Sequence, residues 1–191
     1  TLANQTAVAI ENARLFSMEF RRRHEAELLR HVFTEMRSDL DLKRVLESVL
    51  IFLNEVISYD SACVFLIEED SLHIVSARGF PNVDKMIGQH YPIRNEPYFQ
   101  EISKTGRQQC ISNVPPNLHF NYLQSQIIQS WLGMPLIVHD VVIGILTLHR
   151  LKGPAFNHLQ STLVMGFANH AAIAIENAHL YEQERQQRHR A

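Results

Sequence analysis

The chain has 191 residues, 46% of them hydrophobic and 20% charged, which is enough for one domain of about 100–150 residues with its own core. A net charge of −2 does not supply the concentrated basic surface that general nucleic-acid binding requires. Two cysteines cannot form a disulfide framework, and no apolar run approaches the roughly 18 residues of a membrane span. We therefore expect a cytoplasmic domain without a nucleic-acid partner or membrane contact.

Nearly the same phrase occurs close to both ends of the chain. Phe167-Ala-Asn-His-Ala-Ala-Ile-Ala-Ile-Glu-Asn-Ala-His-Leu-Tyr181 matches Leu2-Ala-Asn-Gln-Thr-Ala-Val-Ala-Ile-Glu-Asn-Ala-Arg-Leu-Phe16 at nine positions, with an offset of 165 residues. Such a repeat is typical of arrays in which each unit ends in a helix that leads into the next. We expect one complete unit here, preceded in residues 1–37 by the end of another, and we interpret the chain as a piece of a longer polypeptide.

Residues 1–37 are predicted to form one long helix, because they contain no Pro or Gly and are rich in Ala, Glu, Arg and Leu. Apolar residues recur in it at steps of three and four, as in a coiled-coil seam, with charges interrupting the pattern at Arg22 and Glu25. The predicted seam residues are Leu15, Met18, Leu29, Val32 and Met36. We expect this helix to pair with a second copy in a parallel homodimer.

The next segments predict a helix followed by a hairpin. A helix that starts at Asp39 or Asp41 carries apolar residues at helical spacing as far as Ile57. Strands are predicted over 61–67 and 72–78 because both runs are rich in β-forming residues and a polar connection separates them.

Residues 82–131 are the least regular part of the chain, with Pro92, Pro97, Pro115 and Pro116 as breaks. The pattern predicts a short helix over 96–104, a strand over 107–112 and another short helix through Tyr122. Because long loops in compact domains are usually functional, we expect this region to form a lid over one face of a sheet.

The strongest strand signals are 131–138 and 141–150, which turn at His139-Asp140. The second run is apolar on both sides, which predicts a central strand. A final helix is predicted from Phe156 or Asn157 to about residue 187, so that residues 182–191 begin an output helix. The order of elements predicts an α+β domain with an antiparallel sheet.

Two segments resemble the GAF domain family. Gly133-Met-Pro-Leu-Ile-Val-His-Asp-Val-Val-Ile-Gly-Ile-Leu-Thr-Leu148 resembles its Pro-Leu, polar turn, Ile-Gly-x-Leu-x-Leu hairpin, and residues 168–181 resemble its closing helix. The resemblance implies a GAF domain over 38–181, with terminal helices on one face of the sheet and a small-molecule pocket on the other. It also implies a sensory module that regulates a catalytic output domain in the same full-length chain, most commonly of histidine kinase or response-regulator type.

The candidate pocket follows from the alternation of side chains along a strand. Ile145, Thr147 and His149 share one face of the last strand, and this more polar set is expected to face the pocket. The predicted ligand-binding residues are Phe65, Tyr98, Phe99, Asn113, His119, Tyr122, Trp131, Thr147 and His149. The alternative is that the aromatic residues fill this space as core, leaving a collapsed pocket.

Comparison with GAF subfamilies of known ligand reduces the set of candidate ligands. Phytochrome-like GAF domains attach a bilin through Cys-His-x-x-Tyr-Leu, which resembles residues 118–123, but Leu118 replaces the attaching Cys and Asn113 replaces the anchoring Asp. Nucleotide-binding members carry two acids where this chain has Gln160 and Ser161. We therefore expect neither ligand, leave the cofactor unassigned and predict no metal, although His119 and His149 are the two histidines placed to face inward.

Two further functions remain open. One GAF branch resembles a thiol-dependent methionine sulfoxide reductase, for which Cys110 is a better candidate than Cys63 because Cys63 lies in an apolar run. We expect no enzymatic activity, since no Ser-His-Asp set, phosphate loop or paired carboxylates are visible. The second alternative is a ligand-free dimerisation and relay module.

Overall fold

The computed structural model describes residues 39–115, 120–123 and 127–190. The predicted helix over residues 1–37, with its dimer seam, lies outside this range, as does His119. The helices of the described part are α1 (Asp39–Val56), α2 (Val83–Met86), α3 (Pro97–Thr105) and α4 (His158–Arg190), with 3-10 turns at Ile93–Asn95 and Asn121–Leu123. The strands are β1 (Ser61–Glu68), β2 (Ser71–Arg78), β3 (His90–Pro92), β4 (Gln109–Ser112), β5 (Ser130–Val138) and β6 (Val141–Arg150).

All six strands form one antiparallel sheet in the order β3-β2-β1-β6-β5-β4. The fold is therefore α+β, and the prediction that residues 141–150 form a central strand is confirmed, since β6 lies between β1 and β5. The β5–β6 turn has φ 46° at His139 and φ 63° at Asp140. Positive φ at both central residues suits the right-handed twist of a two-residue hairpin, which explains why the chain reverses at this polar pair.

The helices α1 and α4 cover one face of the sheet, hereafter the helix face. Leu146 and Leu148 of β6 lie in this core with Leu46, Leu50 and Leu53 of α1. The α4 residues Ala168, Ala171, Ala172 and Ala174 are all fully buried. Small side chains at these positions let α4 approach its neighbours closely. The repeated segment, residues 167–181, therefore packs on the helix face of the sheet.

A reciprocal pair of hydrogen bonds fixes the start of α4. The Gln160 backbone N–H donates to Asn157 Oδ1 at 2.9 Å, and the Asn157 N–H donates to Gln160 Oε1 at 3.1 Å. This is a capping box, which satisfies two N–H groups that have no partner inside the helix. Gln160 therefore serves to begin the helix.

The sequence patterns missed the shortest elements of the irregular region. The α2 helix, the three-residue strand β3 and the 3-10 turn after it were not predicted, because runs this short have no measurable periodicity. Of the predicted helix through Tyr122, the described residues Asn121–Leu123 form a 3-10 turn, and Ile127, which is 81% exposed, is not helical. Among the residues described, no helix is both long and apolar enough to cross a bilayer.

Candidate functional site

Opposite the helix face, the sheet carries a cluster of aromatic side chains. Phe65, Phe99, Tyr122 and Trp131 each have at most 1% of their surface exposed. Their rings meet mostly edge to face, with 5.0 Å between the centroids of Phe65 and Phe99 and 4.9 Å between those of Phe65 and Tyr122. Phe120 stacks on Trp131 at 5.1 Å. These five residues are called the aromatic cluster below.

A row of polar residues crosses the sheet at the edge of the aromatic cluster. Ser61 of β1, His149 of β6 and Trp131 of β5 lie directly opposite one another on adjacent strands. His149 Nδ1 and Ser61 Oγ are hydrogen-bonded at 2.9 Å, and His149 Nε2 and the Tyr122 hydroxyl at 2.8 Å. The Trp131 indole N–H donates to the same hydroxyl at 2.8 Å. The resulting polar chain, Trp131–Tyr122–His149–Ser61, satisfies both ring nitrogens of His149 in either neutral tautomer.

Burial keeps this polar chain uncharged. It lowers the pKa of His149 from 6.5 to about 3, because the charged imidazolium loses its hydration at this position. Burial likewise raises the pKa of Tyr122 well above its usual value, against the opposing effect of the Trp131 hydrogen bond. The site therefore offers neutral donors and acceptors at neutral pH and disfavours a bound charge.

The position of the Trp131 ring depends on the missing side chain at Gly133. The two residues share one face of β5, and a Cβ at position 133 would lie 2.2 Å from the indole Cη2 and 2.6 Å from Ile102 Cδ1. The indole therefore extends along the strand over Gly133. Only glycine leaves the space that this ring orientation, and with it the hydrogen bond to Tyr122, requires.

We expect Gly133→Ala to lower the free energy of unfolding by about 1–3 kcal/mol, because the added methyl group forces Trp131 out of its position. Chemical denaturation followed by far-UV circular dichroism measures this loss. Gly166→Ala in α4 is the matched control, since a Cβ there meets nothing within 4 Å. Equal stability of wild type and Gly133→Ala would contradict the proposed fit between the indole and residue 133.

A buried carboxyl group connects α3 to the turn that carries Tyr122. Glu96 precedes α3, is 2% exposed, and accepts a hydrogen bond from the Asn121 N–H at 3.0 Å. Burial raises the pKa of Glu96, while the bond from Asn121 opposes this effect. The sequence analysis missed Glu96 because an acidic residue before Pro97 is what any helix N-terminus favours. Its contact with residue 121 spans 25 positions and leaves no local pattern.

The structure brings most of the predicted pocket residues together. Phe65, Phe99, Tyr122, Trp131, Thr147 and His149 are all buried on the predicted face, and half-buried Tyr98 packs beside Trp131 and Phe120. Asn113 is exposed in the loop after β4. Phe120, Ser61 and Glu96 belong to the site but were not predicted. Of these, only Phe120 had a visible signal, as an aromatic residue two positions before Tyr122.

The two thiols both have a raised pKa, but Cys63 is buried and Cys110 is exposed. Cys63 is fully buried, and burial raises its pKa well above the usual value. Burial also raises the pKa of Cys110, whose Sγ lies 3.6 Å from the carbonyl oxygen of Phe156. A thiolate forms more readily where a positive charge or helix N-terminus lowers the thiol pKa. The raised pKa values disfavour the thiolate form of both cysteines, although Arg150 acts to lower the pKa of Cys110.

The GAF domain family matches residues 41–175. Among curated proteins, the chain is 23% identical over 159 residues to the anaerobic nitric oxide reductase transcription regulator NorR of Vibrio vulnificus, covering 80% of this chain and 31% of that protein.

Solved structures of low identity share the fold. The GAF domain of a phosphoenolpyruvate-protein phosphotransferase from Coxiella burnetii is 17% identical with a TM-score of 0.68, covering 83% of this chain and 96% of that one. The GAF domain of a two-component sensor histidine kinase from Bacillus halodurans is 18% identical with a TM-score of 0.62, covering 73% and 96%. The family match extends over all six strands, nearly all of α1 and the first half of α4, and the chain belongs to the GAF domain family of sensory modules.

Proposed function

We propose that this GAF domain senses a small neutral molecule at the aromatic cluster and passes the change through its terminal helices to an output domain of a larger cytoplasmic signalling protein. The observation that carries this proposal is the polar chain Trp131–Tyr122–His149–Ser61, buried beside an otherwise apolar cluster. Buried polar groups lose hydration and must be paired, so filling this space with apolar side chains would be a simpler way to make a core. The polar chain is better explained as a recognition site.

In the proposed mechanism, the Tyr122 side chain occupies the position that a ligand would take. Its ring belongs to a 3-10 turn outside the sheet, yet its hydroxyl is held by residues of β5 and β6. A ligand that displaces Tyr122 exposes an indole N–H donor and a neutral imidazole nitrogen, surrounded by Phe65 and Phe99. An aromatic molecule with a hydroxyl group matches these partners in shape, polarity and charge.

The route to the helices runs through the sheet itself. Trp131 faces the aromatic cluster, while its neighbour Leu132 faces the core formed with α4. A ligand that shifts β5 therefore also acts on the residues packed against α4. Such a shift requires different affinities of the ligand for the two states of the domain. In the proposed relay, α4 and the helix predicted over residues 1–37 pair with a second copy and carry the change to the output.

The recognition geometry can be tested by opening the site. In Tyr122→Ala, p-cresol replaces the missing side chain and is expected to raise the melting temperature, because its hydroxyl restores the bonds to Trp131 and His149. Toluene fills the same volume without the hydroxyl and is expected to raise it less. Both compounds should stabilise the wild type less than Tyr122→Ala, because in the wild type they must first displace the Tyr122 side chain. Equal effects of p-cresol and toluene would contradict a polar recognition site.

A ligand-free dimerisation and relay module is the second candidate, and the near-complete burial of the aromatic cluster favours it. Native mass spectrometry of freshly purified protein separates the two functions, because it reports both bound small molecules and dimers. A co-purified molecule that shifts the emission of Trp131, the single tryptophan, supports the sensor. Dimers with no bound molecule support the second candidate, and monomers would overturn the relay through paired helices.

The proposed role is regulatory rather than enzymatic, and the raised pKa values of Cys63 and Cys110 support this. The chain spans 31% of the curated relative, which is named as a transcription regulator. One structural neighbour comes from a two-component sensor histidine kinase. An output of histidine kinase or response-regulator type is therefore the proposed context, and the sensing mechanism above applies to either.

A further inference from the structure

Three side chains with metal-binding atoms meet at one edge of the sheet, on the side away from the aromatic cluster. Glu68 ends β1, His73 lies in β2 and His90 begins β3. His73 and His90 are directly opposite each other across the strand pair, and Glu68 is diagonal to His73 because its own partner is Ser71. One ligand atom from each residue can be chosen so that all three lie within 4.8 Å of one another.

One ring nitrogen of His73 lies beside Glu68 without forming a hydrogen bond to the residues described. Its Nδ1 is buried and makes no hydrogen bond within the part of the chain that the structure describes. The same atom lies 3.5 Å from Glu68 Oε1. In a tetrahedral zinc site with bonds of 2.0–2.1 Å, neighbouring ligand atoms are about 3.3 Å apart. Glu68 and His73 are thus already close to the spacing of two ligands on one metal ion.

The arrangement of the two imidazole rings also favours a shared metal ion. The rings of His73 and His90 are stacked, with 4.3 Å between centroids and 11° between planes. The Glu68 carboxylate lies on the same face, so two imidazoles and one carboxylate approach a common point. A single divalent ion uses both rings in their neutral form together with the carboxylate, after the rings tilt from their parallel stacking.

We propose that Glu68, His73 and His90 bind one divalent transition-metal ion of the zinc type. Two imidazoles and one carboxylate form a donor set suited to Zn²⁺, Ni²⁺ and Cu²⁺ and leave a fourth position for water. The three metal-binding residues come from three strands and span 22 positions, so they form no short sequence motif. The site is independent of the proposed ligand at the aromatic cluster.

Metal binding would stabilise the edge of the sheet formed by β3. The β3 strand has only three residues and three register pairs with β2. Its central residue, Tyr91, packs from the opposite face against the core that contains the aromatic cluster. An ion held by all three strands therefore fixes the edge strand and the chain that leads from it into α3. We expect bound Zn²⁺ to raise the melting temperature of the domain.

Calorimetric titration of the full chain with Zn²⁺ alone, after treatment with a chelator, tests the proposal. The wild type is expected to show one site whose affinity falls about tenfold or more in His73→Gln and in His90→Gln, since loss of one ligand costs at least about 1.4 kcal/mol of binding free energy. The stabilisation by Zn²⁺ should be smaller in His90→Gln than in the wild type at the same Zn²⁺ concentration. His90 is exposed, so this variant is expected to keep its fold, which circular dichroism checks.

The chain contains eleven histidines, so weak binding elsewhere needs a control. His139→Gln removes an exposed histidine that pairs with Glu176 at 3.3 Å, outside the proposed site. Its affinity for Zn²⁺ should equal that of the wild type. Unchanged affinity in both His73→Gln and His90→Gln, or an equal loss in His139→Gln, would overturn the assignment.

Discussion

Replacing Trp131 with alanine is expected to lower the free energy of unfolding by about 3–5 kcal/mol, the largest effect of any single truncation in the aromatic cluster. The side chain is fully buried and contacts the rings of Phe99, Phe120 and Tyr98. Its removal leaves a cavity that the rigid strand β5 cannot close. It also removes the donor that the Tyr122 hydroxyl now accepts from.

Denaturation of Trp131→Ala must be followed by far-UV circular dichroism, because the variant lacks the single tryptophan and gives no indole emission. Tyr181→Ala is the control, since this aromatic side chain is 47% exposed on α4 and its loss should change stability by at most about 0.5 kcal/mol. A loss below about 1 kcal/mol for Trp131→Ala would mean that the cluster relaxes around the gap. The aromatic cluster would then be loosely packed, and it would not form a rigid binding site.

The strands and the two faces of the sheet could be predicted because periodicity is a local property. Along β6, alternation predicts that Ile145, Thr147 and His149 share the pocket face. In the structure all three are buried, and Leu146 and Leu148 between them lie in the core of the helix face. The hairpin at His139-Asp140 was predicted from its polar turn between two apolar runs. In each case the determining residues are near one another in sequence, where side-chain alternation and turn chemistry decide the structure.

The polar chain could not be predicted because it depends on register between strands that are distant in sequence. Ser61 and His149 are 88 positions apart, and Trp131 lies opposite His149 only because the β5–β6 hairpin keeps its pairing past a shift near Leu136. A shift of one residue would turn these side chains to opposite faces. The Glu68–His73–His90 cluster could not be predicted because His90 lies on β3, a three-residue strand too short to show periodicity. His149 was proposed as a pocket residue from its face alone, without its partners.

The second large effect is a loss of stability on acidification that originates at His149. Its pKa is about 3 in the folded state and 6.5 when exposed, so between these values the unfolded chain binds the proton that the folded domain excludes. The contribution of His149 is intact above pH 6.5 and is lost progressively as the pH falls towards 3. Each pKa unit corresponds to about 1.4 kcal/mol, so the loss between pH 7 and 5 is on the order of 2 kcal/mol.

Glu96 acts in the opposite direction, because its raised pKa makes the folded state take up a proton before the unfolded chain does as the pH falls towards 4.5. The contribution of His149 is therefore isolated by comparing the wild type with His149→Gln, in which the amide retains a donor and an acceptor for Tyr122 and Ser61. Denaturation at several pH values should show a steep decline for the wild type, and for His158→Gln at an exposed position, but a shallower one for His149→Gln. Parallel declines in all three proteins would show that protonation of His149 is not what opens the polar chain in acid.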